Sequence, residues 1–166
     1  MKTLVKVFAL LIGLGTVSVP AFAQDHKAMQ HQQKDGHIML NENDFQWQDG
    51  PASLPKGAKM AVLEGDLSKE GPFTIRLWVP ANYKVPPHWH PAIEHVTVMK
   101  GVIYMGPGEK FDMNTATKIT EGGMAVMPIK YVHYAFTKEE AIIQLHGIGP
   151  WGINYINPKD DPRNAK

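Results

Sequence analysis

The chain has 166 residues, a formal charge of +1 and no cysteine. That length fits one domain of ordinary size, and the near-neutral charge argues against a nucleic-acid-binding surface. Without cysteine there is neither a disulfide framework nor a thiolate metal site, so stability has to come from a conventional apolar core.

The N-terminus has the layout of a secretory signal peptide: Lys2 and Lys6, an apolar core from Val7 to Leu14, and a small-x-small end at Ala21-Phe22-Ala23. The apolar core is short for a bilayer span, so residues 1–23 are expected to be removed after Ala23, leaving no stable membrane anchor. No twin arginine is present, which points to the general export route and a periplasmic or secreted product. Loss of Lys2 and Lys6 turns the charge of +1 into −1. Cleavage also exposes Gln24-Asp25-His26. A free amine with histidine third in line can wrap Cu(II) or Ni(II) in a square of nitrogens, unless the terminal glutamine cyclises and blocks the amine.

Residues 24–40 are polar and glutamine-rich and read as a flexible lead-in. The domain is expected over 41–157, followed by a frayed tail at 158–166. From Met60 onward the sequence predicts short strands over 60–65, 73–79, 95–99, 101–106, 117–120, 124–128, 131–137, 141–147 and 153–156. Each is rich in β-branched or aromatic residues and is bounded by Gly, Pro, Asp or Asn. No helical period is sustained there. The expected fold class is all-β, a sandwich or a small antiparallel jelly-roll β-barrel.

The stretch "PPHWHPAIEHVTVMKG", residues 86–101, concentrates the chemistry. His88, His90 and Glu94 share one parity, while Trp89, Ile93 and His95 share the other, so in an extended chain the first three can converge on one face. Two imidazoles at i and i+2 can bind one metal ion from a single strand. His133, after Gly122, Gly123 and Pro128, offers a third imidazole from a neighbouring strand. Three imidazoles and a carboxylate leave one or two positions of a six-coordinate ion open. The alternative is a set of hydrogen-bonded polar residues with no metal.

His88-x-His90-x3-Glu94-x6-Gly101 resembles the first conserved motif of the cupin superfamily, and Gly122-x5-Pro128-x4-His133 resembles the second. The resemblance covers about residues 60–157. It implies a small antiparallel jelly-roll barrel with metal ligands at His88, His90, Glu94 and His133, and commonly a homodimer. Three positions depart from the pattern: Asn82 and Lys130 stand where it has glycine, and Thr137 where it closes with asparagine. Asparagine tolerates a left-handed backbone; the other two departures bear on the aim of His133.

The leading expectation is an exported enzyme of oxygenase type, using one divalent transition metal ion (Fe, Mn, Ni, Cu or Zn) on a small organic molecule. The alternative is a non-catalytic module binding metal or a small ligand. Arg76, Tyr104, Met127 and Phe136 are candidates for the pocket, Arg76 as a carboxylate clamp if its strand face lines the interior. The other reading of Arg76 is a solvated strand face. His146 is either a hydrogen-bond partner or proton shuttle near the metal, or a structural histidine. His95 has the parity of an outward residue, and Trp89 reads as a packing or dimer contact.

Overall fold

The computed structural model describes residues 36–165. The predicted signal segment, Gln24-Asp25-His26 and the lead-in as far as residue 35 lie outside the described residues. Eleven strands follow in chain order: β1 (Gln48–Asp49), β2 (Lys59–Glu64), β3 (Gly71–Val79), β4 (Lys84–Trp89), β5 (Glu94–Lys100), β6 (Val102–Pro107), β7 (Thr117–Thr120), β8 (Met124–Met127), β9 (His133–Phe136), β10 (Ala141–Gly149) and β11 (Asn154–Tyr155). No helix among the described residues is long and apolar enough to cross a membrane.

All the strand pairs are antiparallel. A six-stranded sheet runs β1-β2-β3-β10-β5-β8 and a five-stranded sheet runs β11-β4-β9-β6-β7. The fold is an all-β jelly roll, as expected, although its two sheets do not close into one hydrogen-bonded ring. Alternation places the core between them. Phe73, Ile75, Leu77 and Val79 of β3, Val96 and Val98 of β5, and Ile143 and Leu145 of β10 point inward. From the other sheet they meet Val85 of β4, Ile103 and Met105 of β6, and Ala135 of β9.

β4 is not among the predicted strands, although the spacing of His88 and His90 is read as that of an extended chain, and it contains Pro86 and Pro87. Here they sit in a bulge: Val85 pairs with Ala135 and His88 with His133, and the two prolines fall where the register shifts. Their missing N–H groups are not called on there. The predicted strand 131–137 is shortened at both ends to β9, with a turn at residues 129–130 ahead of it. Gly101 makes the tight connection from β5 to β6 with φ +78°, and a side chain there would press into the Glu140 carbonyl at 2.6 Å.

All three departures from the cupin pattern have a structural answer. Asn82 and Lys130 both occupy the left-handed region, with φ 59° and φ 61°. Asparagine does so at little cost, whereas lysine carries the full Cβ penalty. The Lys130 N–H donates to the His90 carbonyl at 2.9 Å, so its turn is tied to the first motif. Lys130 Nζ also stands 5.9 Å from the centre of the Trp89 ring. Thr137 is buried, donates its hydroxyl to the Pro80 carbonyl at 2.7 Å and accepts from the Tyr83 N–H at 3.1 Å. A hydroxyl thus bridges the turn before β4 to the end of β9.

Near the C-terminus, residues 161–164 form a capped turn. Asp161 caps a 3-10 turn at Pro162–Asn164, and Arg163 Nη2 donates to the Ile153 carbonyl at 3.0 Å and to Asp161 at 2.7 Å.

Two stability changes follow. Lys130→Gly should raise the urea midpoint, since it relieves about 1 kcal/mol of left-handed strain, partly offset by the greater freedom of an unfolded glycine. Thr137→Val keeps the shape but leaves the half-buried Pro80 carbonyl and the buried Tyr83 N–H without the hydroxyl, and should cost about 1–3 kcal/mol in the same assay.

Candidate metal centre

His88 lies near the end of β4, His90 just beyond it, Glu94 opens β5 and His133 opens β9. All four are buried, between 2% and 4% exposed. His88 and His133 are direct cross-strand partners, which brings their ring centres to 4.3 Å. The His90 ring lies 4.9 Å from that of His88 and 5.2 Å from that of His133. The three imidazole ligand atoms lie within 4.8 Å of one another. Glu94 Oε2 is 3.4 Å from His90 Nε2 and 3.5 Å from His133 Nε2. Two donors on one ion at bond lengths of about 2.1 Å stand roughly 3–3.5 Å apart, so the cluster needs little movement to close on a cation.

Hydrogen bonding fixes the tautomers. A carbonyl only accepts, so each imidazole in contact with one carries its proton at Nδ1. His88 Nδ1 donates to the Pro86 carbonyl at 2.6 Å, His90 Nδ1 to Gly152 at 2.8 Å and His133 Nδ1 to Tyr131 at 3.1 Å. Every Nε2 is left with a free lone pair on the inner side. His90 Nε2 is buried with no hydrogen-bond partner among the described residues. An orphaned acceptor beside two more Nε2 atoms and a carboxylate fits a divalent transition metal, because partners at Nδ1 are what orients and strengthens such ligands.

Electrostatics agree. Burial, reinforced by repulsion from His133 and His90, pushes His88 down to about 3, so it is a neutral ligand at neutral pH. For His90 burial acts downward, but the nearby charge of Glu94 outweighs it and the net shift is upward. Burial would raise Glu94, yet His90 and His133 hold it below the usual carboxylate range. A cation entering here would compete with a proton for the lone pair of His90 Nε2.

A cavity of about 50 Å3 adjoins the cluster. Apolar side chains form most of its wall, among them Leu77, Val96, Ile103, Met105, Leu145 and Ile153. Phe136 contributes to the wall. Tyr104 lies across the sheet from Phe136 and stacks on its ring at 4.8 Å without lining the cavity. Met127 pairs with Glu94 and packs on the core, also outside the lining. Arg76 falls on the outer face of β3, where its Nε donates to Gln144 at 2.9 Å and its guanidinium covers Phe45, so it is no clamp for a ligand in this cavity.

His146 does not reach the metal ligands: it pairs with His95 on the outer face, their rings stacked at 4.7 Å. His95 is outward, as its parity predicts. Sequence reasoning did not single out Trp151, which lines the cavity and stacks on His90 at 4.8 Å and 16°. Its position after a cis Gly149-Pro150 bond has no periodic signature.

The ion-free protein should lose stability in acid. Between pH 6.5 and about 3 the unfolded chain takes up a proton that folded His88 refuses, so the His88 contribution to stability falls as pH drops through that window. Glu94 adds a loss below about pH 4.5, while His90, shifted upward, works in the opposite direction around neutrality. In chelator-treated protein, the urea midpoint of His88→Gln should vary less with pH across that window than that of the wild type.

No protein-family model matches the chain, and no curated protein is detectably similar in sequence. Solved structures do match. The polyketide cyclase RemF from Streptomyces resistomycificus is 14% identical with a TM-score of 0.64, over 76% of this chain and 90% of that one. A candidate acetylacetone dioxygenase from Methylibium petroleiphilum is 15% identical with a TM-score of 0.59, over 78% and 87%. An RmlC-like cupin from Shewanella frigidimarina is 14% identical with a TM-score of 0.53, over 70% and 94%. At such identities the likeness concerns the fold, and together with the strand order and the two histidine-bearing motifs it establishes that this chain has the cupin fold.

Proposed function

We propose that the chain is an exported, mononuclear metal-dependent enzyme of oxygenase type that acts on a small organic molecule. The observation carrying this reading is that three buried imidazoles spend every Nδ1 on a backbone carbonyl, with ligand atoms within 4.8 Å of one another and the Nε2 atoms of His90 and His133 against Glu94. His88, His90, His133 and Glu94 would hold the ion. The donor set suits Fe, Mn, Ni, Cu or Zn. Bound there, a divalent ion supplies Lewis-acid polarisation of a substrate oxygen and, when redox-active, electron transfer with dioxygen.

The chain supplies the rest. The carbonyls of Pro86, Gly152 and Tyr131 keep the imidazoles in the ligating tautomer. The apolar wall from Leu77 to Ile153 excludes bulk water and strengthens electrostatic interactions at the site. Low proton affinity at His88 keeps the ligand available below neutral pH.

Export rests on the N-terminal layout of residues 1–23. Pairing of two copies is supported by Ile93, Ile129 and Ile148, which stand exposed around one groove on the outer surface. In material purified from its native compartment, elemental mass spectrometry should find close to one transition metal ion per chain. A His88→Ala/His133→Ala variant should hold none, and the mature terminus should begin at Gln24. Sedimentation should give a dimer, and oxygen uptake with small organic substrates should follow metal content. A wild type as empty as the variant would overturn the metal reading; full metal with no turnover of any substrate would leave a binding module instead.

A further inference from the structure

The cavity wall contains few polar groups beyond the four clustered residues, and nearly all are already engaged. Tyr83 donates its hydroxyl to the Pro55 carbonyl and Thr137 donates to Pro80. Trp151 is the exception. It is 9% exposed, it lines the cavity, and its Nε1 is buried with no hydrogen-bond partner among the described residues. A buried indole N–H normally finds an acceptor, and leaving one without costs as much as losing a hydrogen bond. The ring is also fixed: it stacks on His90 at 4.8 Å and packs against Phe73 at 6.0 Å, while the next residue, Gly152, accepts from His90 Nδ1. The one uncommitted donor of the wall is thus rigidly coupled to a metal-ligating side chain.

Charge and size define what it would meet. A divalent ion with three neutral imidazoles and the Glu94 carboxylate carries a net +1 in an apolar enclosure, and a buried charge calls for a counter-charge. About 50 Å3, taken as space for water centres, holds about four water-sized groups. We infer that Trp151 is the substrate-orienting donor of the site, and that the substrate binds as a small monoanion whose oxygens, as in a carboxylate, are divided between the ion and the indole N–H. This rests on the metal reading above and adds to it the charge class of the substrate and the residue that selects it.

The test uses the mature protein loaded with zinc, with zinc content measured first. Acetate is the probe, and ammonia the control, since an ammonia ligand has no lone pair left to accept from an indole. Trp151→Phe keeps an aromatic ring on His90 and removes only the N–H. It should retain zinc, bind acetate about tenfold more weakly by calorimetry, the scale of one hydrogen bond to a charged acceptor, and bind ammonia as the wild type does. In wild-type protein labelled with 15N-tryptophan, the indole N–H most protected from solvent exchange should shift downfield with acetate and stay in place with ammonia. Should the variant fold poorly or lose zinc, that resonance decides. Equal acetate affinities, or an unmoved resonance in zinc-loaded protein, would overturn the role of Trp151 and leave the metal site standing. A wild type that takes up no zinc or other transition metal would overturn both.

Discussion

Burying three imidazoles and a carboxylate within a few ångströms of one another is the constraint around which this chain is arranged. Each group loses its hydration in the core, and a protonated imidazole there would be costly unless paired. The chain meets this by giving each Nδ1–H a carbonyl, from Pro86, Gly152 and Tyr131. Those carbonyls come from β4, from the loop between β10 and β11, and from the turn before β9, so three segments distant in sequence must be in place before the cluster is satisfied. The Nε2 atoms and Glu94 remain as the only side of the cluster that an external partner can complete.

That demand accounts for backbone features that are otherwise unfavourable. A left-handed lysine costs about 1 kcal/mol or more, yet the Lys130 turn carries the chain from β8 to the start of β9 and its N–H fastens to the His90 carbonyl. The same turn presents the Tyr131 carbonyl to His133. The prolines of β4 sit where the ladder shifts register, and one of them supplies the carbonyl that fixes His88. A left-handed lysine and a register shift thus both lie beside the cluster, where surrounding structure over-determines the backbone.

What the sequence disclosed depended on the range of the signal. His88, His90 and Glu94 were legible because their spacing acts within one extended stretch, and His133 because its glycines and proline mark a turn at a fixed distance. The alternation of β3 was equally clear, but parity separates two faces without saying which is inside; packing of Phe73 and Leu77 decided that, and sent Arg76 outward. Tyr104 and Met127 are pocket candidates in the sequence, while the register across the sheets places them beside the wall instead. β4 contains two prolines, and a proline counts against a strand until its partner's register is known. Trp151 had no local signal, since its importance comes from stacking on a histidine sixty-one positions earlier in the chain.

The two histidine pairs show why residue type alone does not define the site. His88 and His133 face each other across β4 and β9, and His95 and His146 across β5 and β10, each pair in direct register. The second pair stacks nearly parallel on the outer surface, at 14°, and each of its Nδ1 atoms is buried without a partner. With no carbonyl to take a proton at Nδ1, the favoured tautomer there carries it at Nε2, the nitrogen that in the first pair is free to bind a metal. Parallel rings also direct their lone pairs alongside one another rather than toward a common point. Within the same fold, a one-residue difference in parity and the presence of a carbonyl at Nδ1 separate histidines that converge on Glu94 and could hold an ion from histidines that stack on the outer face.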